Sequence, residues 1–126
     1  MTSRLALLLA ALLLFVAVAA GAFGAHALKT KIAPDMMAVY QTAVQYHFWH
    51  GLGLLAVGVL MAQRPDSSVL GVAAWLLVAG MLLFSGSLYA LALTGVRGFG
   101  GVTPIGGVAL LAAWAAVAWA ALRGIA

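Results

Sequence analysis

The sequence contains no cysteine, and among its 126 residues only six are lysine or arginine and only two are acidic. Without cysteine, disulfide bonds, thiolate metal sites and cysteine nucleophiles are all excluded. A soluble domain carries charge on about a quarter of its residues, because charged side chains cover its surface. Here charged residues make up 6% of the chain. This is too few for a surface in water, so the expected solvent is lipid.

Most of the chain is apolar: 67% of the residues are hydrophobic and the mean hydropathy is +1.20. The charges separate four charge-free stretches, at residues 5–28, 36–63, 67–96 and 98–122. A helix needs about 20 apolar residues to cross a hydrocarbon core of about 30 Å. We therefore predict one integral membrane domain over residues 1–126, with helices at about 4–28, 36–62, 68–94 and 103–123.

The connections between these helices are short, which predicts an antiparallel all-α bundle of four transmembrane helices. Both termini then lie on the same side of the membrane. The first apolar stretch is too long for a signal peptide, so we expect a retained helix. Three basic residues fall on each side of the membrane, so their distribution leaves the orientation open.

The net charge of +4 does not indicate nucleic-acid binding, because the basic residues stand singly at helix ends. There they are expected to contact lipid headgroups. The expected partners are membrane lipids, with no nucleic acid.

Polar residues collect in the half of the bundle that faces away from the termini. The second helix is overlong, and its first turns carry most of them. Polar side chains in lipid normally face the bundle interior, so we expect a polar cluster there. The candidate binding residues are His26, Gln41, Gln45, Tyr46, His47, His50, Ser85, Ser87 and Tyr89.

Two interpretations of this cluster compete. His26, His47 and His50 could supply three nitrogens to a metal or haem, or relay a proton. Alternatively, the cluster forms hydrogen bonds between helices, contributing about 0.5–2 kcal/mol each. No carboxylate lies close enough in sequence to orient the imidazoles, so we favour the second interpretation and predict no cofactor. Because both acids lie in loops, we also predict no catalytic residues and no enzyme activity.

Small residues recur every four positions on three helices, which places a smooth stripe along one face of each. These stripes are Ala17-Gly21-Ala25, Gly86-Ala90-Thr94 and Ala112-Ala116-Ala120-Gly124. Some are expected inside the bundle. A surplus on the fourth helix favours contact with a second copy or a larger membrane complex.

Three motifs make the chain recognisable. They are Gly21-Ala-Phe-Gly-Ala-His-Ala-Leu-Lys29, Tyr40-Gln-Thr-Ala-Val-Gln-Tyr-His-Phe-Trp-His-Gly51, and Phe84-Ser-Gly-Ser-Leu-Tyr-Ala-Leu91 with Thr103-Pro-Ile-Gly-Gly107. Together they resemble the family called domain of unknown function 423, whose animal members are called transmembrane protein 256. The resemblance covers essentially the whole chain. It implies four helices and, in bacteria, an inner-membrane location, but no established activity.

The favoured function is therefore a non-enzymatic, structural or accessory role in the cell inner membrane. One alternative is an oligomeric transporter or channel for ions or small molecules. Another is a binder of lipid, quinone, haem or metal at the polar end of the bundle.

Overall fold

The computed structural model describes residues 1–125, and every regular element in that range is helical. Four long helices follow one another along the chain. They are α1 (Ser3–Phe23), α2 (Pro34–Gln63), α3 (Ser68–Thr94) and α4 (Thr103–Leu122). A π-helical turn (Gly24–Leu28) continues α1, and a 3-10 turn (Arg97–Gly101) precedes α4.

Local sequence chemistry sets most of these helix ends. The hydroxyls of Thr2 and Ser67 accept from the backbone N–H groups that open α1 and α3. Pro34 begins α2, where its missing N–H costs no helical hydrogen bond. Gly95 ends α3 with a left-handed φ of 72°, a conformation that glycine adopts without strain. The structure thus starts α2 two residues before the predicted position.

Helices α1 and α2 pack closely because glycines on α2 leave room for leucines on α1. A Cβ atom at Gly51 would come within 2.8 Å of the Leu14 side chain, and one at Gly58 within 2.9 Å of the Leu7 side chain. A step of seven residues forward on α2 thus matches seven residues backward on α1. The two helices are antiparallel, and their contact repeats every two turns.

Helices α3 and α4 also pack closely because a glycine on one helix leaves room for a leucine on the other. A Cβ at Gly80 would come within 2.5 Å of the Leu110 side chain. At Gly106 it would meet the backbone itself, 2.7 Å from the Cα of Phe84. Small residues let helix backbones approach in lipid, where there is little hydrophobic drive to bring helices together.

These contacts do not follow the stripes singled out from the sequence. On α3, a Cβ at Gly86 would meet no atom within 4 Å, so the stripe that starts there is open. On α4, Ala112 is exposed and only Ala120 of that stripe is buried. On α1, by contrast, Ala17 is buried and a Cβ at Gly21 would lie 3.5 Å from the Val44 side chain of α2, so part of that stripe is inside. The closest internal contacts depend instead on single glycines that face leucine or backbone.

The first residue and Ile125 lie beside the same connection. The backbone of Met1 is 3.9 Å from the Cβ position of Gly71 in the first turn of α3. Ile125 borders a shallow depression with the residues that join α2 to α3. Both ends of the described chain are therefore at one end of the molecule.

The outer surface is apolar nearly everywhere. Leu122 is 81% exposed and Phe15 is 75% exposed, and many other large hydrophobic side chains also face outward. Three helical segments are long and apolar enough to cross a membrane: Ser3–Leu28, Ser68–Thr94 and Arg97–Leu122. A surface of this kind suits contact with lipid, and water would not solvate it.

Adjacent glycines at the start of α4 give a matched test of the close approach to α3. We expect Gly106→Ala to destabilise the protein by about 1–3 kcal/mol, because the new methyl group overlaps the α3 backbone. Gly107→Ala should cost nothing, because there the added Cβ lies at an ordinary 3.7 Å from the Phe84 ring. Equilibrium unfolding of both variants in mixed SDS micelles measures the difference, and equal stabilities would contradict this packing.

Candidate functional site

The polar half of the molecule begins where α1 changes from α-helix to π-helix. At this point the Tyr40 hydroxyl of α2 donates to the backbone oxygen of Ala20, at 2.6 Å. Gly24 makes room for the tyrosine, since a Cβ at that position would overlap the Tyr40 ring. The π-helical turn (Gly24–Leu28) follows directly, and such turns often mark places where a helix accommodates an outside group. Tyr40 thereby joins α2 to α1.

Two serines on α3 make the next links. The Ser85 hydroxyl donates to the backbone oxygen of Ala43 on α2, at 2.8 Å. The Ser87 hydroxyl donates to its own helix at Phe84, so it accepts from the hydroxyl of Thr103 at 2.6 Å. These bonds connect α3 to α2 on one side and to the first residue of α4 on the other.

His47 is the most buried of the histidines, with 5% of its surface exposed. Its Nδ1 lies 2.8 Å from the Tyr89 hydroxyl, which adds a second link between α2 and α3. Its Nε2 is buried and forms no hydrogen bond of good geometry with the described residues, although the backbone of Leu13 on α1 faces the ring. A buried polar atom without a partner costs about 1–3 kcal/mol, so this nitrogen is an exception that requires an explanation.

His50 is also buried, but one of its ring nitrogens is satisfied within α2. Its Nδ1 donates to the backbone oxygen of Tyr46 at 2.7 Å, because a carbonyl can only accept. The ring stacks on Tyr46 at 5.8 Å and lies 5.9 Å from the Trp114 ring of α4. His50 is therefore held in an aromatic layer between α2 and α4.

The remaining candidates lie apart from these residues. His26 is exposed on the π-helical turn, and Gln41 and Gln45 are exposed on α2, beside the groove that contains Gly24. Within the described chain, no three histidine or acidic side chains lie close enough to hold a metal ion. The structure therefore does not bring His26, His47 and His50 together as a ligand set.

Two clefts open beside the buried histidines. One, of about 190 Å³, lies between α1 and α3, and His47 lines it together with Ser85, Gly86 and Tyr89. The other, of about 350 Å³, lies between α2 and α4 and is lined by His50 and Trp114. The walls of both clefts are mostly apolar side chains. Both acidic residues, Asp35 and Asp66, are exposed at helix ends, so neither cleft contains a carboxylate.

Sequence reasoning did not place Tyr40, Gly24 or Thr103 in the site. Tyr40 was visible as one more polar residue on α2, but nothing in the pattern pairs it with a glycine 16 residues earlier. Thr103 is the first residue of α4, and its hydroxyl bonds to Ser87 of α3. Both pairings depend on which helix faces are adjacent.

The chain is similar to known membrane proteins. Residues 20–107 match the family model described as protein of unknown function (DUF423). The chain is 44% identical to the UPF0382 inner membrane protein YgdD of Escherichia coli K12, over 98% of this chain and 93% of the relative. It is 42% identical to the UPF0382 membrane protein YwdK of Bacillus subtilis, over 93% of this chain and 95% of that protein.

A third relative, the UPF0382 membrane protein SH2409 of Staphylococcus haemolyticus, is 45% identical over 88% of this chain and 89% of its own length. No solved structure matches the chain significantly. The relatives are named as membrane proteins, in agreement with the apolar surface and the three membrane-length helices, and the family has no assigned function. This chain is a small, multi-pass membrane protein that belongs to the DUF423 family.

Proposed function

We propose that all four helices cross the membrane, as an antiparallel bundle with both termini on the same side. Helix α2 is the fourth span, because its 30 residues extend about 45 Å at 1.5 Å per residue. Its first half is polar for a spanning helix, yet its buried residues there bond to α1 and α3. The position of Met1 and Ile125 beside one connection supports the arrangement of the termini.

Within that bundle, we propose a non-enzymatic structural or accessory role. One observation carries this proposal: each buried side chain with a polar group in the described chain bonds to another protein group. These side chains are Tyr40, His47, His50, Ser85 and Ser87. These groups are engaged in holding helices and side chains in place. With both acids exposed, the interior offers no carboxylate for acid–base chemistry.

A transporter or channel is the weaker alternative, because the buried polar residues occupy only one half of the bundle. The opposite half is packed with side chains such as Leu54, Val57, Leu70 and Leu77, all almost fully buried. A continuous polar path across the membrane would have to pass through this apolar core.

The proposed partners are a second copy of the chain or a larger membrane complex. The open stripe on α3, from Gly86 through Ala90 to Thr94, would let another helix approach closely. The stripe is next to the polar links, so a partner there would add to the packing of the same half.

The cysteine-free chain allows the topology to be tested directly. We expect Thr2→Cys and Ser68→Cys, both exposed in the native protein, to react with a membrane-impermeant maleimide from one side of the membrane. Thr30→Cys and Gly98→Cys should react only from the other side. Labelling of intact and permeabilised spheroplasts distinguishes the sides. If Thr2→Cys and Ser68→Cys labelled from opposite sides, the four-span arrangement would be wrong.

The structural role of the polar links predicts that Ser85→Ala lowers stability by about 0.6 kcal/mol and at most about 1.7 kcal/mol, the average and the maximum measured for interhelical hydrogen bonds in a membrane protein. The matched control is Thr42→Ala, because the Thr42 hydroxyl bonds only to Ala38 of its own helix. Equilibrium unfolding in mixed micelles gives both values. Equal losses for the two variants would show that the Ser85 bond does not hold α2 and α3 together.

The accessory role is tested by the size of the native particle. Chemical cross-linking in native membranes, followed by mild detergent extraction, should yield species well above the 12.9 kDa monomer, with mass spectrometry identifying their components. Gly86→Leu, which fills the open stripe, should reduce that yield, while Ala11→Leu, at an exposed position on α1, should not. A particle that is monomeric in every condition would refute the accessory role.

A further inference from the structure

The Nε2 atom of His47 is the one feature of the polar half that the helix-to-helix links do not explain. The opposite ring nitrogen is engaged by Tyr89, while Nε2 is buried and forms no hydrogen bond of good geometry in the described chain. The backbone of Leu13 faces the ring from α1, but it does not meet the distance and angle that a hydrogen bond requires. Nearly all buried polar atoms in proteins are satisfied by protein, water or ligand. An atom of another molecule beside Nε2 would give both ring nitrogens of His47 a hydrogen-bond partner.

The hydrogen-bond pattern indicates which kind of atom that is. If the Tyr89 hydroxyl donates to Nδ1, both groups are satisfied and the ring proton sits on Nε2. With the opposite tautomer, the Tyr89 proton would have no acceptor among the recorded bonds. Nε2 is therefore assigned as a donor, and the missing partner is an acceptor oxygen.

The cleft beside His47 could admit such a molecule from the lipid. Val16 on α1 is 52% exposed and Leu82 on α3 is 61% exposed, so the cleft opens outward between these helices. The space in front of Gly86 is empty to at least 4 Å. The cleft volume, about 190 Å³, is somewhat larger than a cavity that is known to hold benzene. This volume is enough for one small ring system.

The depth of the cleft in the membrane indicates which kind of molecule could supply the acceptor oxygen. Met81 is the middle residue of the 27 in α3, and Leu13 and Val16 flank the middle of the 26-residue segment Ser3–Leu28. All three line the cleft, so it lies near mid-membrane in the proposed four-span topology. The ester carbonyls of phospholipids lie about 15 Å away, at the edge of a hydrocarbon core of about 30 Å.

We propose that the cleft between α1 and α3 binds a lipid-soluble molecule with a ring carbonyl, of the quinone class, and that His47 Nε2 donates a hydrogen bond to its oxygen. The apolar walls take the ring and its substituents, and the single donor fixes the carbonyl. This is the usual composition of a small-molecule site, a mostly apolar pocket with a few placed polar groups. The depth argument rests on the proposed topology, whose own test is the cysteine labelling above.

The test compares two compounds of nearly equal shape, 2-methyl-1,4-naphthoquinone and 2-methylnaphthalene, which lacks the carbonyls. Each is titrated into purified full-length protein in detergent micelles, with binding followed by ¹⁵N signals of the histidine rings and by thermal unfolding. The chain has only three histidines, so each signal is assigned by single substitution. We expect the quinone to shift the His47 Nε2 signal, leave His26 unchanged, and bind about tenfold more tightly than the hydrocarbon.

Two variants locate the site. Gly86→Leu places a side chain in the open space of the cleft and should weaken quinone binding at least tenfold, whereas the matched Ala79→Leu should not change it. His47→Leu should bind the two compounds equally. Because Gly86→Leu leaves the His47–Tyr89 pair in place, it remains informative if His47→Leu does not fold.

Several results would overturn the proposal. Equal affinity of the native protein for the two compounds would show that no carbonyl is recognised. Quinone binding that Gly86→Leu leaves intact would place the ligand elsewhere. An Nε2 proton already hydrogen-bonded in the ligand-free protein, and unmoved by quinone, would identify a buried water or the backbone at Leu13, which also faces His47. A response to added phospholipid equal to that of the quinone would contradict the depth argument.

Discussion

A polar group buried in a membrane protein has no water to replace a missing partner, and this constraint accounts for the organisation of the polar half. At that end each pair of consecutive helices shares a side-chain hydrogen bond: Tyr40 joins α2 to α1, Ser85 joins α3 to α2, and Ser87 with Thr103 joins α3 to α4. The same side chains that would be costly alone thus define which helix faces meet. The π-helical turn after Phe23 fits this scheme, since it begins where Tyr40 bonds to α1.

Close contacts at glycines, spread along the length of the bundle, hold the helices together by a different means. Lipid tails are as apolar as leucine, so burying leucine between helices gains little, and close contact must supply the attraction. Glycines at positions 51, 58 and 80 receive leucines from the facing helix, and at Gly106 the α4 backbone comes directly against α3. Dispersion forces fall steeply with distance, so each such approach strengthens the contacts around it.

His47 combines a hydrogen bond between helices with a buried nitrogen that lacks a well-formed one. Through Nδ1 it takes part in the network that joins α2 to α3, and through Nε2 it departs from the rule that buried polar atoms are paired. Such a departure is informative because the rest of the site obeys the rule. A structural role for the network and a ligand at the unpaired nitrogen are compatible, since the cleft lies on the lipid-facing side of the same link.

The sequence by itself determined the solvent, the number of long helices, most of their ends and the half in which polar residues gather. This information comes from composition and spacing. The chain has too few charges for a surface in water, its apolar stretches are long enough to cross a membrane, and capping residues lie between those stretches. Among the candidate residues, His47, His50, Ser85 and Ser87 are buried, while His26, Gln41 and Gln45 are exposed. Nothing in the sequence separates these two groups, because helical spacing does not say how each helix is rotated about its axis.

Only the tertiary structure fixed how each helix is rotated about its axis, and therefore which side chains on neighbouring helices are in contact. The glycine–leucine contacts, the bond from Tyr40 to Ala20, the bond between Thr103 and Ser87, and the bond between His47 and Tyr89 all join residues 16 to 51 positions apart in the chain. Such pairings arise from the joint packing of four helices. No local pattern specifies them, because the residues that make each contact are ordinary members of their own helix until the neighbouring face is in place.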